Sequence, residues 1–285
     1  MDSDFIIRIL INGLMMSCSY ILIALGLTII FGLMHIINFA HGEIYMLGSF
    51  SIYYLFDRCG ISYPLAFVLS VVLLAFLGMG LERAFFRPLS GKTLQGLICA
   101  LGLSMILQGA GWAVFGIEDR SITTSFPSLH VGGVFVSGER LFAMLGSLVV
   151  IVACIFFIER TKIGRAMRAV EQNREAAVLQ GISIGQTSRV AFILGCALAA
   201  VAGCLIAPIF SINPAMGVGP IMMSFAIIII GGMGTILGTI IAGFIIGNIN
   251  NLSSTLFGPE IGSIVVFIAV MLVILIKPEG LFGHE

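Results

Sequence analysis

Charge is what this chain has least of: Asp, Glu, Lys and Arg make up 10% of its 285 residues, while hydrophobic residues make up 59%. A soluble fold of that length cannot bury so much apolar surface, and a mean hydropathy of +1.15 places the chain in a membrane. The period-two alternation of outer-membrane barrels is absent, which leaves helices as the spanning elements. A disulfide framework is missing as well. Cys18, Cys99, Cys154, Cys196 and Cys204 fall inside apolar segments, where they read as small core residues, and Cys59 alone sits in a loop. The start, Met1-Asp2-Ser3-Asp4, has no basic leader and no small-residue cleavage site follows, so the first helix is expected to stay in the mature protein.

Catalytic and cofactor chemistry is equally sparse. Ser90-Gly91-Lys92-Thr93 imitates the end of a phosphate-binding loop, but Phe86 stands where the first glycine belongs and Pro88 and Leu89 fill the cradle, so no nucleotide site is expected in this chain. His35, His41 and Glu43 lie close together without a recognisable metal geometry, and no catalytic cluster or metal site is expected. A proton- or sodium-driven secondary transporter would carry carboxylates or histidines deep within its spans. Apart from Glu43, near a helix end, the apolar segments lack them, which weighs against that class.

What is present is a series of apolar runs of spanning length. They fall at about 5–33, 36–56, 64–81, 97–115, 141–158, 190–210, 217–233, 235–250 and 261–276. The expected fold is therefore all-α, a single polytopic transmembrane helical bundle over residues 1–285 with eight or nine crossings. Arg83, Arg87 and Lys92 sit in the loop after the third run, and Lys277 follows the last. Six more cations occupy 159–189, whereas the segment 116–140 and the Asp57-Arg58 loop are balanced by acids. The basic loops are expected in the cytoplasm, which puts the N-terminus outside and the C-terminus inside.

The segment 159–189 (ERTKIGRAMRAVEQNREAAVLQGISIGQTSR) breaks the oily pattern. It holds Arg160, Lys162, Arg165, Arg168, Arg174 and Arg189 against Glu159, Glu171 and Glu175. A helix near 168–180 would set Arg168, Glu171, Arg174 and Glu175 at i, i+3 and i+4 spacings, with Ala176 and Ala177 as a compact shoulder and Gly181 as a stop. Such a helix suits a groove on a soluble partner; the alternative is a solvated connecting loop whose ion pairs contribute only ~0.3 to 0.5 kcal/mol each.

One echo links the halves. Ile37-Asn38-Phe39-Ala40-His41-Gly42 and Ile212-Asn213-Pro214-Ala215-Met216-Gly217 share I-N-x-A-x-G, once at an inner and once at an outer helix junction. Either the match is a coincidence in a low-diversity sequence, or it marks inverted repeats whose short or broken helices frame a pathway. On the second reading Asn38, Phe39, His41, Glu43, Asn213 and Met216 are the pathway candidates. On the first, Asn38 and Asn213 cap helix starts, His41 is a packed turn residue, and Glu43 is accommodated by the positive end of its helix. The small residues Gly231, Gly232, Gly234, Gly238, Ala242, Gly243 and Gly247 permit close helix packing, within the chain or at a seam between subunits.

Several segments carry a family resemblance. Residues 175–181, Glu-Ala-Ala-x-x-x-Gly, resemble the EAA signature of ABC-transporter permeases, although residues 183–193 lack the proline that usually follows. Residues 26–48 (GLTIIFGLMHIINFAHGEIYMLG), 164–182 (GRAMRAVEQNREAAVLQGI), 224–243 (SFAIIIIGGMGTILGTIIAG) and 277–283 (KPEGLFG) are similar to the LivH-type permease subunit of branched-chain amino acid ABC importers. The resemblance implies a multi-pass protein of the bacterial inner membrane. It implies pairing with a second, homologous permease, two cytoplasmic ATP-binding subunits that hold ATP and Mg2+, and a periplasmic amino-acid-binding protein. Membrane lipid surrounds such a chain, no nucleic acid partner is implied, and Arg168, Glu171, Arg174, Glu175, Ala176, Ala177 and Gly181 become the ATPase-coupling residues. The cargo that the resemblance implies is a branched-chain, aliphatic amino acid; related permeases carry urea, short amides or other amino acids, which form the alternative.

Overall fold

The computed structural model describes residues 3–124, 126–131 and 134–283; Met1 and Asp2 of the acidic start lie outside them. All nine apolar runs form helices. Those long and apolar enough to cross a bilayer are α1 (Ser3–Met34), α3 (Tyr63–Leu81), α4 (Thr93–Phe115), α5 (Gly138–Arg160), α8 (Ile184–Ile206), α10 (Ile236–Phe257) and α11 (Pro259–Ile276). Two others are short. Helix α2 (His41–Ile52) continues as a π turn over Tyr53–Arg58, and α9 (Val218–Gly231) has 14 residues, about 21 Å at 1.5 Å per residue, less than the ~30 Å hydrocarbon core. The charged segment forms α6 (Lys162–Gln172) and α7 (Arg174–Leu179), and β1 (Leu129–Val131) pairs antiparallel with β2 (Val134–Val136) in the connection before α5.

The basic segments gather at one end of the bundle. The Gly91 amide donates to the Met34 carbonyl at 3.3 Å, Arg174 Nη2 donates to Ser90 Oγ at 3.3 Å, and the Leu281 amide donates to the Ile230 carbonyl at 2.7 Å. The opposite end is closed by an antiparallel bridge between Arg120 and Ile212, by Asn213 Nδ2 donating to Asp119 Oδ1 at 3.1 Å, and by Arg140 donating to Asn12. This grouping follows from charge: cations are cheapest where the helix ends reach water.

Helix α1 runs along α10, where Thr28 and Thr239 share a hydrogen bond of 2.7 Å and Ser17 Oγ donates to the Phe244 carbonyl at 3.2 Å. Helix α8 runs along α3 in the same manner, with Tyr63 donating to the Cys204 carbonyl at 2.9 Å. The short helices cross over between these pairs. Helix α2 packs on α8, Ser49 Oγ donating to the Gly203 carbonyl at 2.8 Å, while α9 packs on α1. Each short helix thus lies on the first long helix of the other half, and the two I-N-x-A-x-G segments lead into these two short helices.

Three sequence expectations are revised. The helix expected across 168–180 is two helices, because Asn173 adopts an extended conformation and its Oδ1 accepts from the Ala176 amide at 2.9 Å, starting α7 afresh. The loop expected directly after the third run, 64–81, begins later: Glu82 is fully buried in a π turn (Glu82–Phe86) that prolongs α3, with Oε2 3.8 Å from Arg189 Nε, the cation that lets a carboxylate stay inside the helical region. The small-residue face of α10 is not left free for a subunit seam. Ala242 is buried, and any Cβ on Gly243 or Gly247 would run into Ile21 or Ser17 of α1.

Candidate functional site

Helix α1 ends at Met34, and His35 takes φ 55°, a left-handed residue that turns the chain back on itself. Residues 36–40 then descend without helix, and α2 begins at His41, whose ring lies against Gly26 of α1. Gly26 precedes Met34 by two turns, so α2 starts about 12 Å below the end of α1. On the other side, residues 207–217 return from the end of α8 and α9 starts at Val218. The two starts touch. A Cβ on Gly42 would lie 2.8 Å from the Gly217 carbonyl oxygen, and one on Gly217 would overlap the Gly42 backbone. From this crossing α2 runs toward the end bearing Arg120, where Phe50 stacks on Phe115 with centroids 4.0 Å apart, and α9 runs toward the basic end. Two half-helices diverging from one point inside a bundle are the arrangement in which irregular backbone lines a central path.

The six pathway candidates separate here. His41 is fully buried, and Glu43 is buried with Oε1 accepting from Ser104 Oγ of α4 at 3.0 Å while, among the described residues, Oε2 has no partner. Asn38 is 2% exposed, its Oδ1 has no partner among the described residues, and it does not cap α2. Asn213 does not cap α9 either, which starts five residues on at Val218: its Oδ1 accepts from the Ala215 amide at 3.1 Å and closes a turn in the preceding loop. Phe39 packs against Phe225 in a tilted pair, centroids 4.5 Å apart, and lines a cavity of about 380 Å³ together with Asn38, while Met216 lines a second cavity of about 210 Å³ beside Tyr20 and Tyr45. Ser104 went unnoticed in the sequence, where a lone serine on an apolar helix carries no signal.

The coupling candidates separate too. Gly164, Met167 and Val170 turn one face of α6 inward, and Arg168 stands exposed on the other. Glu171 turns inward, its carboxyl packed against Gly32 at the end of α1 and against Gly234 in the turn before α10. Ala177 is buried as well, so only one of the two shoulder alanines faces the bundle. Glu175 and Ala176 are exposed, joined by Val178 and by Leu179, which is 85% exposed. Gly181, at φ 79°, ends α7, with the Ile182 amide donating to the Ala177 carbonyl at 3.0 Å.

Burial pushes the Glu171 carboxyl up to about 7, with Arg168 opposing the shift. Its folded value exceeds its ordinary one, so the contribution of this contact is full below pH 4.5 and is lost as pH rises through about 7. After discounting for partial exposure the loss is on the order of 2 kcal/mol. Hydrogen exchange at the α6 amides should therefore quicken several-fold between about pH 6 and about pH 8 relative to the rest of the chain, and Glu171→Gln should remove that dependence. An unchanged pH profile in the variant would show that Glu171 is not the titrating contact.

A polytopic helical bundle with broken helices at its centre and a charged helix pair outside it defines a membrane transport permease. The chain belongs to the family whose model is described as "Branched-chain amino acid transport system / permease component", which matches residues 9–275. It is 33% identical to the high-affinity branched-chain amino acid transport system permease protein BraD of Pseudomonas aeruginosa, covering 96% of this chain and 95% of that one. It is 31% identical to the corresponding permease protein LivH of Escherichia coli K12, over 98% of this chain and 96% of the relative. The fold is also that of a chain in the solved structure titled "PsaBC from Streptococcus pneumoniae in complex with Fab", with a TM-score of 0.51, 12% identity, and coverage of 95% and 92% of the two chains.

Proposed function

We propose that this chain is the pathway-forming half of an ATP-driven importer that carries branched-chain, aliphatic amino acids across the bacterial inner membrane. It pairs with a second, homologous permease, receives cargo from a periplasmic amino-acid-binding protein and is driven by two cytoplasmic ATP-binding subunits, which hold the ATP and Mg2+. Residues 1–285 act as one permease domain and 159–189 as its cytoplasmic coupling loop; the end bearing Arg120 faces the periplasm, as does the N-terminus. The cargo assignment draws on the descriptions of BraD and LivH.

The observation that carries this reading is the exposed tip of α7. Glu175, Ala176, Val178 and Leu179 stand clear of the bundle, while Glu171 and Ala177 anchor the same segment to the ends of the helices that lead to the central crossing. Apolar side chains exposed on an otherwise cationic loop suit a groove on a soluble partner. Force applied there reaches α1 and the α9–α10 turn through packed contacts.

Purification in mild detergent should recover the chain with a second permease and two ATP-binding subunits. In proteoliposomes, ATP turnover should rise several-fold when leucine-loaded binding protein is added. Leucine movement by this chain alone, driven by an ion gradient, would defeat the proposal.

A further inference from the structure

Between α1, the non-helical residues 36–39, α9 and α11 lies the cavity of about 380 Å³, walled by Leu27, Phe31, Phe39, Met222, Phe225 and Phe267. We infer that this cavity is a transient binding site for the aliphatic amino acid in transit, an inference that rests on the importer reading above. Its volume lies in the range of small-ligand sites, roughly 300 to 1,000 Å³, and its wall is nearly all aromatic and aliphatic.

The polar groups beside it are few and unspent. Among the described residues the amides of Ile36, Ile37, Asn38, Phe39 and Ala40 donate no hydrogen bond, and Asn38 Oδ1, in a side chain 2% exposed, accepts none. Residues 36–39 all line the cavity. Backbone of this kind at membrane depth persists only where it is buried in protein or borders a space that other polar groups can enter, because an unpaired amide in an apolar setting is costly. The chemistry that answers both halves of the site is a compact apolar body carrying a donor and an acceptor. An aliphatic amino acid is such a molecule: its side chain suits the Phe and Met wall, its ammonium group is a donor for Asn38 Oδ1, and its carboxylate is an acceptor for the idle amides. A lipid acyl chain would satisfy the wall and leave Asn38 and the amides unpaired.

The test uses the complete importer in nanodiscs with its loaded binding protein and photo-leucine as cargo. Illumination during turnover should place adducts within residues 31–39 and 222–229, and excess leucine should suppress them. Asn38→Leu, which keeps bulk and removes the acceptor, should raise the KM for leucine uptake by about tenfold, and an unchanged KM would overturn the site. Met222→Trp, which fills the cavity without touching Asn38, should slow leucine more than alanine. Wild-type importer that moves leucine but yields no adduct in these segments overturns the site and leaves the importer reading standing. Adducts that leucine does not suppress, together with labelling of the same segments by a diazirine-bearing phospholipid, would make the cavity a lipid site and also overturn it. A wild-type assembly that moves no leucine defeats the importer reading and this site with it.

Discussion

Replacing Gly217 by Val should abolish transport and leave little folded protein, and Gly217→Ala should already lower stability by about 3 kcal/mol. A Cβ at this position runs into the backbone of Gly42, and a Cβ at Gly42 meets the Gly217 carbonyl oxygen at 2.8 Å. Backbone on both sides cannot yield as a flexible side chain would, so relief requires α2 and α9 to separate at their starts. Those starts hold the irregular segments in place, and the loss should spread along both half-helices. Gly219→Ala supplies the control: it lies two residues further along, faces open space, and should leave both folding and transport unchanged. Thermal unfolding of the detergent-purified chain, measured alongside uptake in cells, reads both effects. Equal tolerance of Ala at positions 217 and 219 would show that the crossing is not a tight contact.

The second large effect is expected at the loop tip. Leu179→Asp should leave insertion and stability intact, because the side chain is 85% exposed and touches little of the bundle. Uptake should nevertheless fall by about tenfold or more, equivalent to about 1.4 kcal/mol of lost docking, since a carboxylate replaces an apolar anchor in a desolvated groove. Glu175→Lys acts at the same surface. Ala177→Arg does not test it, because Ala177 is buried and an arginine there would disrupt the loop itself. Full uptake in Leu179→Asp, with the variant present at wild-type levels, would reduce α7 to a connector.

The sequence made the helices legible because length and apolarity are properties of a run of residues, and each of the nine runs became a helix. Depth is not such a property. Nothing in residues 36–56 or 217–233 says that the chain first returns into the bundle unwound and begins its helix at the centre; contact with Gly26 and with the partner half decides that. The I-N-x-A-x-G echo was the one visible trace, since both glycines are required by the same contact. At 168–180 the charge spacing suggested one helix, yet Asn173 ahead of Arg174 and Glu175 is a serviceable helix start, and that signal prevailed. Which face of α6 and α7 turns inward is set by Gly32, Gly234 and the bundle surface, remote in sequence. The inward turn of Glu171 and Ala177 was therefore beyond reach, and so was the role of Leu179, an ordinary apolar residue until it is seen standing in the open. The burial of Glu82 just past the third run was out of reach for a related reason: its partner, Arg189, is 107 positions away (189 − 82) on another helix.

The account turns on where force enters the molecule. A photoreactive p-benzoylphenylalanine at position 179, illuminated in intact cells and again in inside-out vesicles, tests that directly. The expected result is a crosslink to an ATP-binding subunit, with the residue reached by membrane-impermeant reagents only from the cytoplasmic side. Modification of position 179 from the periplasm, or the absence of any crosslink to a nucleotide-hydrolysing subunit in an importer that is actively transporting, would contradict it.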